Sequence, residues 1–135
     1  MQRVLILCTG NSARSQMAEA LLKRLAGDRF VVYSAGTKPV PVRPEAITVM
    51  REIGIDLSDN RSKHVDEFQN ESFDYVLTVC NNANETCPIY PRHTHRLHHS
   101  FDDPSLVQGS AEDRLAAFRK VRAQILEYLR SFPPG

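Results

Sequence analysis

The sequence predicts an α/β fold, a single domain over residues 1–135 with a parallel sheet and helices on both of its faces. Three observations carry this reading. Short continuous apolar runs recur, Val4-Leu5-Ile6-Leu7, Phe30-Val31-Val32-Tyr33 and Tyr75-Val76-Leu77-Thr78-Val79, as expected of strands buried on both faces. Segments with helical apolar spacing alternate with them, the pattern of a sheet crossed over by helices. The length of 135 residues suits one domain and buries enough surface to need no disulfide or metal staple.

Each element follows in chain order. After the first apolar run comes a Gly/Asn/Ser turn, then Met17, Leu21, Leu22 and Leu25 at helical spacing. The second run ends at Ala35-Gly36. Pro44 stands where a first helical turn tolerates proline. Ala46, Ile47, Met50 and Ile53 give that helix an apolar face, and Gly54 suits its C-terminal stop. Arg96-Leu97-His98 is a weaker fourth strand. Ser110 and Asp113 resemble a capping box with Asp in place of Glu. The last helix follows, with Leu115, Phe118, Val121, Ile125 and Leu129 on one face, and stops before Pro133-Pro134.

Composition narrows the function. Charged residues make up 24% and the net charge is +1, so no nucleic-acid or acidic-membrane footprint is expected. No apolar run approaches the roughly 18 residues of a membrane span. The N-terminus runs straight into strand-like sequence, so no signal peptide and a cytoplasmic location are expected. Three cysteines are an odd count, which suits thiol chemistry better than a secreted disulfide framework.

In a parallel α/β sheet, ligands bind at the carboxyl ends of the strands. Cys8 follows the first strand and Cys80 the third, so both lie on that edge. The strongest signal is Cys8-Thr9-Gly10-Asn11-Ser12-Ala13-Arg14-Ser15. A cysteine, five residues and an arginine between strand and helix can wrap an oxyanion with backbone N–H groups, helped by the helix N-terminus. Gly10 and Asn11 tolerate the left-handed conformations of a tight cradle. Arg14 offers a planar fork for two oxygens, and Ser15 a hydrogen bond to the sulfur. The same fields favour the thiolate, the nucleophilic form. Asp102-Asp103-Pro104 supplies carboxylates after the fourth strand, and the proline limits the backbone of Asp103. The cluster His93, His95, His98 and His99 lacks a carboxylate or cysteine at ligand spacing and reads as surface, so no metal is expected. Lys23-Arg24 and Arg119-Lys120 read as solvated helix faces.

Cys-x5-Arg-Ser after a strand resembles the low-molecular-weight protein tyrosine phosphatases. The string from Cys8 to Glu19, with Tyr33-Ser34-Ala35-Gly36, Cys80, Cys87-Pro88 and Phe101-Asp102-Asp103-Pro104, is closer to one branch, the thioredoxin-coupled arsenate reductases. The resemblance implies a flavodoxin-like fold with a four-stranded parallel sheet, of order 2-1-3-4, and reduction of arsenate to arsenite without a cofactor. It implies Cys8 as nucleophile, Asp103 as acid, and a relay through Cys80 and Cys87 to thioredoxin; a monomer is expected. Asn11, Glu19 and Ser34 match positions that hold a potassium ion in some relatives, and Lys63 stands at the matching acidic position. The segment 81–86 is expected to be a short helical turn that must unwind before Cys80 and Cys87 can bond. A tyrosine phosphatase is the nearest rival, though Ala13 replaces that group's second loop cysteine and Ser105-Leu106 replace its tyrosines. Two further rivals are a reductase fed by glutathione, glutaredoxin or mycothiol, and a non-catalytic oxyanion- or redox-sensing module.

Overall fold

The computed structural model describes residues 1–81 and 90–134. Its element order is β1 (Gln2–Cys8), α1 (Arg14–Ala26), β2 (Phe30–Gly36), α2 (Pro44–Arg51), β3 (Phe73–Thr78), β4 (His93–His98) and α3 (Ala111–Leu129), with 3-10 turns at Val65–Phe68 and Pro104–Leu106. The four strands form one sheet ordered β2-β1-β3-β4, and every pairing is parallel. The predicted fold class and strand order hold. The helical turn expected over 81–86 lies, apart from Asn81, outside the described residues, as does Cys87.

Alternation along β1 divides the core. Val4, Ile6 and Cys8 join Met17, Leu21, Leu22, Val49, Met50, Phe118, Val121 and Ile125 in one cluster. That face carries the three α-helices of the described residues, with α1 and α2 both packed on α3. Leu5 and Leu7 point the other way, into Phe68, Phe73, Val76 and Tyr90. On that face the rings of Tyr33, Phe68, Phe73 and Tyr90 meet edge to face or tilted. The Tyr90 hydroxyl donates to the carbonyls of Phe68 and Glu71, so burial of its polar tip leaves no lone donor. Both faces are therefore covered, but among the described residues the second is closed by the Val65–Phe68 turn and aromatic rings rather than by an α-helix.

Local chemistry sets the element ends. Ser110 and Asp113 do form a reciprocal capping box at α3. Beyond α2, Ile55 N–H bonds Met50 O and Gly54 N–H bonds Arg51 O, the double closure of a Schellman motif. Gly54 sits there at φ +81°, a conformation glycine adopts without Cβ strain. Leu25 departs from expectation: it is 41% exposed, while Leu21, Leu22 and Ala26 on the same helix are buried. Arg24 and Arg119 also do more than face water. Arg24 donates to the Ile53 and Gly54 carbonyls, and Arg119 to Glu52 and Glu112. Arg119 and Arg122 together hold the Glu52 carboxyl down at about 2.

β4 is longer than the predicted Arg96–His98. It is an edge strand in which only His93 and Leu97 are half-buried, so polar side chains are tolerated and the apolar signal is faint. Its histidines diverge: His95 stacks on Tyr75, His98 Nδ1 lies 2.6 Å from Thr78 Oγ1, and His99 beyond the strand stacks on Phe101.

Candidate active site

The carboxyl ends of β1 and β3 are tied together. Leu7 pairs with Thr78, and Val79 N–H donates to Leu7 O at 2.9 Å. One residue beyond Leu7 stands Cys8, and two beyond Thr78 stands Cys80. Both are buried. Cys8 is a free thiol, whereas Cys80 is disulfide-bonded, so the two are not bonded to each other.

Residues 9–13 carry the chain from β1 into α1, which begins at Arg14 with no side-chain cap and no acidic residue in its first turn. The contrast with the boxed N-terminus of α3 is chemical. At α1 the helix leaves its first N–H groups and the positive end of its dipole toward the loop. Asn11 makes the sharp bend with φ +48°. Gly10, the other residue expected to do so, does not have a positive φ. The glycine that the loop requires is Gly36 at the end of β2. A Cβ there would come within 3.0 Å of Cys8 O and Asn11 N, and closer still to Thr9 O.

Asn11 is fully buried and bonded on every side. Its Oδ1 accepts from Lys63 N–H at 2.9 Å and Gln16 Nε2 at 3.1 Å. Its Nδ2 donates to Ser15 Oγ at 2.8 Å and Ser34 Oγ at 3.0 Å. Ser34 in turn donates to Glu19 Oε1 at 2.6 Å. Because Ser15 Oγ receives the amide hydrogen, its own hydroxyl hydrogen is free to point at Cys8 Sγ, 2.9 Å away. A hydroxyl at that distance orients the sulfur at the floor of the loop. The chain from Glu19 through Ser34, Asn11 and Ser15 therefore ends on Cys8 Sγ.

Lys63 closes the far end of this chain. Its Nζ lies 3.9 Å from Glu19 Oε1 and 3.3 Å from Arg61 O. Burial pushes the Lys63 ammonium below its ordinary value, and Glu19 pulls it back up. Lys23 gives Glu19 a second partner at 2.6 Å. The structure thus gathers Asn11, Ser15, Glu19, Ser34 and Lys63 into one connected network.

Arg14 is only 4% exposed. Its Nη1 donates to Phe101 O at 3.1 Å and its Nη2 stands 3.7 Å from Asp103 Oδ2. Asp103 divides its work. Oδ1 caps the Pro104–Leu106 turn, accepting from Ser105 N–H at 3.0 Å and Ser105 Oγ at 2.6 Å. Oδ2 faces Arg14. Capping thus falls to Asp103, because the proline starts the turn immediately after it, and Asp102 instead accepts from Asn81 Nδ2 at 2.9 Å.

A cavity of about 280 Å³ is lined by Cys8, Gly10, Ser12, Arg14, Asp103 and Ser105 from these elements, and by Lys38, Val40 and Arg43 from the β2–α2 connection. No aromatic side chain lines it among the described residues. A wider cavity of about 600 Å³, between α3 and residues 99–102, is lined by neither Cys8 nor Arg14. Sequence reading missed three contributors here: Gln16, which grips Asn11, and the two cations Lys38 and Arg43. The proline spacing of Lys38-Pro39-Val40-Pro41-Val42-Arg43-Pro44 was the available signal for a stiff segment.

Comparison with known proteins matches this geometry. The family model described as low molecular weight phosphotyrosine protein phosphatase matches residues 3–133. An arsenate reductase of Halalkalibacterium halodurans is 43% identical over 129 residues, covering 96% of this chain and 93% of the relative. One from Bacillus subtilis has the same identity and coverage. A solved structure described as an arsenate reductase in the phosphate binding state superposes with a TM-score of 0.80 at 32% identity, covering 96% of this chain and 94% of that one. A thioredoxin-dependent arsenate reductase of Corynebacterium glutamicum superposes with a TM-score of 0.68 at 29% identity, covering 97% of this chain and 61% of the other. With a loop of this form between β1 and α1 and a match over nearly its whole length, the chain belongs to the low molecular weight phosphotyrosine protein phosphatase family.

Proposed function

We propose that the protein reduces arsenate to arsenite in the cytoplasm, with Cys8 as nucleophile and thioredoxin as the final reductant. The observation that carries this reading is a cradle that ends on a free cysteine, bonded to Ser15, and whose mouth is small and cationic without an aromatic ring. A phosphotyrosine side chain calls for an aromatic wall; a tetrahedral inorganic anion calls for donors and charge. The high identity to proteins named arsenate reductase points the same way.

Thiolate Cys8 attacks arsenic while backbone N–H groups of Thr9, Gly10, Asn11, Ser12 and Ala13, with Arg14, hold the oxygens. Asp103 protonates an oxygen, which leaves as water. Thiolate Cys80 then attacks Cys8 Sγ. The S–As electron pair passes to arsenic, which departs as arsenite, and a Cys8–Cys80 disulfide remains. Cys87 attacks Cys80 and releases Cys8 as thiolate. A dithiol reductant, thioredoxin, removes the resulting disulfide. Asp103 stands close enough to Arg14 to serve the same bound anion, and the pairing of β1 with β3 brings the chain at Cys80 beside that at Cys8. The test is arsenate-dependent NADPH oxidation with thioredoxin and thioredoxin reductase supplied. Steady oxidation is expected, far above the rate when glutathione and glutaredoxin replace thioredoxin. No arsenate dependence with either reductant would sink the reading.

The ammonium of Lys63 beside Glu19 supports a second proposal, that it takes the place of the potassium ion held by some relatives. Replacing sodium by potassium at equal ionic strength should then change turnover by less than about twofold and Tm by less than about 2 °C, a stability difference of a few tenths of a kcal/mol. A large potassium-specific gain in either would show that the ammonium does not fill that place.

A further inference from the structure

The β2–α2 connection is bound to the anion loop by its backbone. Lys38 N–H donates to Thr9 O at 3.0 Å, Val40 N–H to Gly10 O at 3.1 Å and Arg43 N–H to Ser12 O at 2.9 Å. Between these donors stand Pro39 and Pro41, which have no N–H and fix φ. The segment is thus a stiff ribbon laid along the outside of the loop. By engaging the carbonyls of residues 9, 10 and 12 it fixes how those peptide units are turned, the pre-organisation an anion cradle needs. Ser62 Oγ adds a bond to Val40 O.

The same ribbon carries two charges to the mouth. Lys38 and Arg43 both line the cavity over Cys8, and both are exposed. Among the described residues neither is in an ion pair, whereas Arg61, Arg119 and Arg122 are each paired with a glutamate. Among the described residues, three cationic side chains, Lys38, Arg43 and Arg14, line this cavity against one carboxylate, Asp103. A cleft lined by one sign of charge concentrates ions of the other sign.

We propose that residues 38–43 form a cationic strap that captures small dianionic oxyanions for Cys8, with Lys38 and Arg43 as its two charges. Neither residue touches the reacting atoms; each raises the local concentration and residence of the anion. The inference rests on the assignment of Cys8 as the reactive nucleophile in the proposed function, and extends that reading to how substrates are selected.

The test compares alkylation of Cys8, followed by peptide mass spectrometry, by iodoacetate (an anion) and iodoacetamide (neutral). The variants are Lys38→Gln, Arg43→Gln and the pair, with Lys38→Arg and Arg43→Lys as charge-preserving controls. At low salt each lost charge should lower the iodoacetate-to-iodoacetamide rate ratio about two- to threefold, the effect of a unit charge several ångströms away across water. The difference should shrink toward nothing at 1 M salt, where the Debye length is about 3 Å. The concentration of inorganic phosphate that half-protects Cys8 from iodoacetamide should rise about fivefold or more in the double variant, since a dianion feels each charge twice. The charge-preserving variants should keep the wild-type ratio. A double variant with the wild-type ratio, or with wild-type phosphate protection, overturns the strap while leaving the proposed reaction standing. A wild-type Cys8 inert to both reagents would overturn the nucleophile assignment, and the strap with it.

Discussion

Cys8→Ser should abolish arsenate-dependent turnover, lowering it by more than about three orders of magnitude, and should leave the fold and the anion site in place. The cradle is built from backbone N–H groups, the Asn11 network and Arg14, none of which the substitution removes. Inorganic phosphate should therefore still bind. The change swaps sulfur for oxygen at a buried position 2.9 Å from Ser15 Oγ, so hydrogen bonding is retained and little volume is lost. What disappears is the chemistry. A serine hydroxyl is not ionised near neutrality, and the group it meets, Ser15 Oγ, is another hydroxyl rather than a base. Oxygen also cannot supply the sulfur that Cys80 attacks in the proposed relay. Coupled NADPH oxidation reads the loss, and phosphate protection against thermal unfolding reads the intact site. Turnover above a trace, in protein whose substitution is verified as complete by mass spectrometry, would mean that a different residue is the nucleophile.

The parts of this site that the sequence discloses are those written within one stretch of chain. Cysteine, loop, arginine and helix run from Cys8 to Arg14, so strand geometry and helix electrostatics could be read in order. The role of Asn11 in the bend was legible for the same reason. The capping box at Ser110 and the glycine after α2 are equally local. Gln16, Lys38 and Arg43 were not legible. Gln16 sits on a helix face that reads as polar, and only the folded structure shows that this face grips Asn11. The cations reach the loop through backbone bonds from a separate connection, and no periodicity announces such a pairing. The second face of the sheet was obscured for another reason. Val65-Asp66-Glu67-Phe68 makes a single 3-10 turn, too short to show helical spacing. The network from Glu19 to Cys8 lies between: its members come from the loop of residues 9–13, α1, β2 and the loop around Lys63, and the resemblance named most of them, but how they connect follows from the distances.

The proposed relay separates the residues needed for attack from those needed for reset, which makes Cys87→Ser the second large effect. This variant should reduce one equivalent of arsenate and then stop, so that steady turnover with thioredoxin falls by more than about two orders of magnitude. Everything that acts before the first disulfide remains: the loop, Arg14, Asp103, Ser15 and the Cys80 thiol. Only the step that transfers the disulfide away from Cys8 is lost. Cys80 is fully buried, and a buried Cys8–Cys80 disulfide offers thioredoxin no accessible sulfur, since exchange needs in-line access to one of the two. After reduction of the starting protein and addition of arsenate, mass spectrometry should find Cys8 joined to Cys80. Hydrolysis of p-nitrophenyl phosphate separates the two halves of the mechanism. It needs the nucleophile and no electrons, so any such activity should survive Cys87→Ser in freshly reduced protein and vanish with Cys8→Ser. Steady arsenate reduction by Cys87→Ser would show that thioredoxin reaches Cys8 or Cys80 directly, and the relay would then have one member fewer.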